Sequence, residues 1–461
     1  MKMGIRALGT CVLLLIAVIA FAGRTVYPTG TTIYKPDKCW NGFTIFPIKV
    51  TGEATLIDMN GNVVKQWKGV SGFPPRILPG GYLMGYIGTR PMHQDSTTLV
   101  QVDWNENIVW KFDRAEEIRE PDKPPYWSSR QHHDFQREGN PVGYYVPGME
   151  PKVENGSTLV LAHKDVNNPR ITSRLLEDDY IYEITWEGKI IWEWLTSDHF
   201  DELGFDEAAK NTIYRNPNWN SMRGSADWAH INSMSLLGPN TYFDQGDQRF
   251  HPDNIIVDGR QINVIWIIDK KSGKIVWKVG PDYTTTPELR KLGQIIGQHH
   301  AHMIPKGLPG AGNILVFDNG GAGGYGSPNP GSVNGVGNAI RAGSRVVEFN
   351  PITLEVVWQY LPGAAGPGDP SFFSHYISSA QRLPNGNTLI DEGADGRMFE
   401  VTPGHEIVWE YVSPFFADAK ETQNGVYRAY RVPYDWVPQA GKPIEKAVIP
   451  IPNSKMRVTT Q

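Results

Sequence analysis

One phrase recurs along this sequence and constrains the fold more than any other feature. An apolar pair, a polar position and a turn lead into two apolar or β-branched residues and a tryptophan. The copies are LIDMNGNVVKQW ending at Trp67, QVDWNENIVW at Trp110, YEITWEGKIIW at Trp192, IIDKKSGKIVW at Trp277, EFNPITLEVVW at Trp358 and EVTPGHEIVW at Trp409. Each reads as a hairpin, because Asn-Gly, Glu-Gly and Ser-Gly supply the positive φ of tight turns and the flanking residues favour strands. A second turn-plus-strand phrase precedes most copies: LPGGYLMGY at Leu78, NGSTLVLAH at Asn155, GAGNILVFDN at Gly310 and LPNGNTLIDEG at Leu383. Two hairpins make a four-stranded unit, and six such units in a ring leave only short sheet edges. The expected fold is therefore all-β, a six-bladed β-propeller.

Its span is set by the ends of the chain. Lys2 and Arg6 precede an apolar run from Ala7 to Ala22 that ends in Ala20-Phe21-Ala22, the pattern of a secretory signal peptide. Residues 1–22 are read as that leader, and 23–461 as the propeller, closed by its N- and C-terminal strands. Gly42 to Trp67 is too short for a whole unit, so a strand near Tyr427–Val432 is expected to complete it. Short helices are expected in Asp201–Thr212 and Thr286–Ile295. The protein is expected to be periplasmic or secreted, with no membrane partner beyond the leader.

Only Cys11 and Cys39 occur, and Cys11 leaves with the leader, so no internal disulfide is expected. The 15 Trp, 19 Tyr and 17 Phe must build the core instead. A net charge of −5 with both signs interspersed gives no basic stripe, which argues against a nucleic-acid partner.

Seven of the 12 histidines fall where the innermost strands of four units begin. They are His132 and His133 in RQHHDF, His230 in DWAHINS, His299, His300 and His302 in GQHHAHMIP, and His375 in FFSHYISS. A propeller gathers these places around one funnel, which suits acid–base and nucleophilic chemistry on an anion. Strand alternation puts His300 and His302 on one face and His299 on the other. The His-x-His pair raises a metal, but Asp134 is the only carboxylate adjacent to the cluster, so no metal and no cofactor is expected. Arg341, at the end of a glycine-rich insertion, is the best anion-binding arginine, and Arg397 the second. That insertion lacks P-loop spacing, so no nucleotide site is expected.

The phrases WAHINS, GQHHAHMIP with NILVFDNGG, and SAQRLPNGNTLIDEG with RMFEVTPGHEIVWEY resemble the bacterial arylsulfate sulfotransferase family over nearly the whole mature chain. The resemblance implies a periplasmic six-bladed propeller that passes a sulfuryl group from a phenolic sulfate ester to a phenol through a transiently sulfated histidine, without a nucleotide donor. His375 falls near the implied nucleophile. His230, with Asn232, matches the His-x-Asn-Ser phrase, and His299 matches the Gln-His phrase. His230 or His299 is expected to protonate the leaving phenolate, and His299, Arg341 and Asn319 to bind the sulfuryl oxygens. His133, His300 and His302 join them as substrate-binding candidates. The family's arginine is expected soon after Asp318-Asn319-Gly320, and the first one there is Arg341. The implied partners are a small phenolic sulfate donor and a phenol acceptor, with a homodimer left open. A quinoprotein-like oxidoreductase and a non-catalytic binding scaffold are the rival readings.

Overall fold

A computed structural model describes residues 28–90, 95–119, 124–217, 226–366, 371–417 and 423–450. The leader read at 1–22 lies outside them. With 42% strand and 9% helix the architecture is all-β, and antiparallel four-stranded runs recur along it. One comprises Gln131–Arg137, Thr158–Val166, Leu176–Ile184 and Ile190–Leu195. The next comprises Ile231–Leu236, Ile255–Gly259, Val264–Ile268 and Ile275–Val279. His299–Met303, Ile314–Asp318, Arg345–Phe349 and Val356–Tyr360 follow, then Ser379–Arg382, Thr388–Glu392, Arg397–Val401 and Ile407–Val412.

The N-terminal region departs from this regularity. A single 16-residue strand, Val63–Leu78, pairs with Glu53–Ile57 through its first half and with Tyr82–Arg90 through its second. It thereby serves two runs at once. The chain ends meet here: Tyr430–Val432 pairs with Phe43–Pro47, and Gly30–Tyr34 pairs with Ile407–Val412.

Every tryptophan-ended phrase forms the outer hairpin of a run, with a register shift just before the last residue of the strand that enters the turn. A partly or wholly buried indole N–H needs an acceptor. Each finds one on the turn of the following phrase: Trp67 on Asp103, Trp110 on Trp186, Trp192 on Lys270, Trp277 on Pro351 and Trp358 on Pro403. Trp409 then donates to the Met59 carbonyl at 2.8 Å, back on the first phrase.

The inner strands meet around Asp134, whose side chain is 1% exposed. Its carboxylate accepts from Arg76 at 2.5 Å, Arg428 at 3.0 Å and the Met234 amide at 3.0 Å. Residues more than a hundred positions apart are thus tied to one side chain.

The α-helices among the described residues run Glu207–Arg215, Thr241–Asp244 and Pro287–Leu292. The first begins later than the expected Asp201, because Asp206 caps it by accepting from the Ala209 amide and Gly204 before it has φ 79°. Among the described residues no helix is long and apolar enough to cross a membrane.

Candidate active site

The seven histidines do not form one ring. They divide into groups with different surroundings: the His375 imidazole is exposed, the His230 side chain keeps 11% of its surface, and the others are buried.

His375 lies on the segment leading into Ser379–Arg382. The segment is clamped from behind. Asn319 Nδ2 donates to the carbonyls of Ser374 at 2.6 Å and Ile377 at 2.8 Å, while its Oδ1 accepts from His299 Nδ1 at 2.7 Å. His299 Nε2 then accepts from the Ile377 amide at 3.1 Å. These contacts fix the tautomer of His299, with the proton on Nδ1. Burial, then the charge of Arg260, hold its pKa well below the ordinary value, so it stays neutral. Gly321 lets the segment approach: a Cβ there would lie 2.1 Å from the His375 carbonyl oxygen. Ile377 and Ser378 adopt φ of 54° and 100°, a strained left-handed backbone held by these bonds.

The roles expected of His299 and Asn319 therefore change. Both are buried, and their polar atoms are committed to holding the His375 segment. Neither has an atom to spare for protonating a phenolate or binding a sulfuryl oxygen.

Arg341 is also committed elsewhere. Its guanidinium pairs with Asp318 at 2.8 Å and donates to the Gln294 and Gly343 carbonyls, and Arg345 shares the same carboxylate. Arg397 is buried between Glu392 and Glu410. The arginine whose charge reaches both His299 and His375 is Arg260, 5% exposed, in the turn after Ile255–Gly259. Burial, then Arg260, lower the pKa of His375, which remains largely neutral near pH 7 although its side chain reaches solvent. Composition gave no reason to prefer Arg260. A positional signal did exist: VDGR stands at the end of the second strand of its run, as FDNG does in the next run.

His230 lies one run away, with Nδ1 held at 2.5 Å by Asp227 Oδ2, an acid–imidazole pair that orients the ring. Its ring packs edge-on against His133 at 4.7 Å. Asp227 went unnoticed in the sequence. His133 is buried among Phe73, His230 and Tyr427, and burial followed by His230 keeps it neutral. Asn232 is wholly buried and its Nδ2 donates to the Gln298 carbonyl, so it joins two runs.

His300 and His302 belong to the core. His302 Nε2 meets the Tyr144 hydroxyl at 2.9 Å, and the His300 ring lies 4.6 Å from that of His302 and 5.6 Å from Tyr430. Burial pushes His302 down to about 4. A substrate-binding role is closed to both.

The sequence model of the family described as Arylsulfotransferase (ASST) matches residues 150–414, more than half of the chain. No curated protein sequence matches it. Among solved structures, a protein of unknown function from Bacteroides caccae is similar with a TM-score of 0.44 at 9% identity, covering 85% of this chain and 99% of that one. Virginiamycin B lyase from Staphylococcus aureus is similar with a TM-score of 0.35 at 13% identity, covering 85% and 87%. The Dos1 propeller has a TM-score of 0.33 at 9% identity, covering 84% and 74%.

Proposed function

The chain belongs to the arylsulfotransferase family, and from that membership we propose a six-bladed propeller enzyme that moves a sulfuryl group from a phenolic sulfate ester to a phenol through a sulfated His375. The blade number draws support from the six indole contacts, the last of which returns to the first phrase. Export to the periplasm or beyond, read from the leader, is part of the same proposal. The observation that carries it is an exposed, neutral imidazole on a segment braced by His299 and Asn319 beside a buried arginine.

In the proposed reaction a nitrogen of His375 bonds to sulfur as the bond from sulfur to the phenolic oxygen breaks. The departing oxygen keeps the electron pair and takes a proton from Nε2 of His230, whose Nδ1–H is held by Asp227. The acceptor phenol then returns a proton to His230 while its oxygen attacks sulfur and the sulfur–nitrogen bond breaks. Arg260 supplies positive charge to the sulfuryl oxygens, an effect that a dry site strengthens. The family match favours this reading over a quinoprotein oxidoreductase or a non-catalytic scaffold.

The direct test is to mix the protein with a chromogenic aryl sulfate in the absence of acceptor and map the modified peptide by mass spectrometry. A sulfated His375 is expected. Turnover with the label on a different histidine would assign the nucleophile elsewhere, and no turnover with any phenol would remove the activity itself.

Arg260 has its own signature. Arg260→Ala is expected to lower kcat/KM by about 10²–10³-fold, the usual loss for one preorganised charge donor. Arg260 lowers the His375 pKa, so its removal raises that pKa and moves the acid limb of the pH–rate profile to higher pH. A limb that stays in place in Arg260→Ala would mean that Arg260 does not act on His375.

A further inference from the structure

A second cluster, away from His375, holds three buried donor atoms that the fold leaves unsatisfied. His132 lies in Gln131–Arg137, His163 in Thr158–Val166 and Asp179 in Leu176–Ile184, successive strands of one sheet. His132 Nε2, His163 Nε2 and Asp179 Oδ1 each lack a hydrogen-bond partner; His132 Nε2 lies 3.5 Å from Asp179 Oδ1, and one ligand atom from each of the three residues lies within 4.8 Å of the others. None of the three residues is more than 2% exposed. Buried polar atoms without partners are rare and costly, and three converging on one point call for an occupant.

The atoms behind them set the occupant's chemistry. His163 Nδ1 donates to Asp95 at 2.8 Å, so Nε2 is the nitrogen left for an ion, which displaces any proton from it on binding. A carboxylate behind an imidazole is the usual support of a metal-binding histidine. His132 Nδ1 lies 2.8 Å from His133 Nδ1, and Asp179 Oδ2 accepts from the Ile231 amide at 3.0 Å, which fixes both ligands in orientation. The neighbouring trio of Asp95, His163 and Glu177 needs no ion, because the Arg130 guanidinium already bonds both carboxylates. Two imidazoles and a carboxylate are a borderline-soft set that suits zinc and its neighbours over calcium or magnesium.

We propose that His132 Nε2, His163 Nε2 and Asp179 Oδ1 bind one divalent transition-metal ion of the zinc class. The two rings stack at 3.6 Å with 15° between their planes, so their in-plane lone pairs run nearly parallel and binding requires the rings to swing apart. Because the ligands are sealed from solvent, the ion enters as the chain folds. It braces His132, and through it His133, against which His230 packs.

The full chain is to be produced with and without Zn²⁺ in the medium, desalted, and its metal counted by elemental mass spectrometry, with Co²⁺ substitution read by visible absorption. About one ion per chain is expected, with a cobalt ligand-field band and a higher Tm for the loaded protein. His163→Ala and the isosteric Asp179→Asn are expected to weaken binding by at least about 10²-fold, whereas His251→Ala, at a surface histidine, leaves the stoichiometry unchanged. Should the ligand variants fail to fold, the wild-type count and cobalt spectrum decide. A wild-type protein that carries no ion after growth in Zn²⁺, or variants that hold it as tightly, would overturn the proposal and leave a buried water as the occupant.

Discussion

His375→Ala is expected to reduce aryl sulfate turnover by about 10⁴-fold or more while leaving the thermal transition unchanged. The loss is large because a nucleophile that opens a two-step route cannot be replaced by binding alone. The fold is indifferent because the side chain is exposed and the clamp on its segment uses the carbonyls of Ser374 and Ile377, the Ile377 amide, and the side chains of His299 and Asn319. A stopped assay with a chromogenic donor, paired with a melting curve, checks both halves. In the wild type, activity depends on deprotonated His375. Its pKa is lowered by burial and by Arg260, so the acid limb lies below that of free histidine. If His375→Ala keeps more than a few per cent of the rate, the nucleophile has been misassigned.

Asp134→Asn is expected to cost about 3–5 kcal/mol of stability, the usual penalty for removing one partner from a buried ion pair. Asparagine keeps the shape and can still accept from the Met234 amide, but it leaves Arg76 and Arg428 facing each other without a counter-charge. Arg428 is wholly buried, so water cannot take over. Urea titration should show a lower midpoint with an unchanged slope. Replacing Asp134, Arg76 and Arg428 together by apolar residues is expected to restore much of the loss. A drop of less than about 1 kcal/mol in Asp134→Asn would show that the network is not what holds the inner strands.

The repeat was legible because a hairpin is a local object. Turn residues and a tryptophan a few positions later announce it, and all six phrases form the hairpins that their turns imply. The strand Val63–Leu78 was not legible, since nothing in its sequence says that it is shared between two runs. Asp134 was seen only as a neighbour of His133, because its partners at Arg76, Met234 and Arg428 are remote in sequence. At the site, residue type was readable but the use of each atom was not. His299 and Asn319 carry the right groups for catalysis and spend them on the backbone of the His375 segment. Arg341 looked available until Asp318 was seen to hold it, and Arg260 was hidden in an ordinary-looking turn. His163 was passed over because it sits inside a strand phrase, LVLAHKDV, with no companion nearby in sequence.

The hand-over from each indole to the next turn ends where it began, and this has a temporal meaning. A ribosome delivers Phe43–Pro47 long before Tyr430–Val432, so the early strand waits with an unpaired edge until the chain is almost complete. During that wait the intermediate carries an apolar strand with one open edge that invites association with other chains. Deleting the last strand is therefore expected to do more than loosen one unit: it would leave that edge open in the end product.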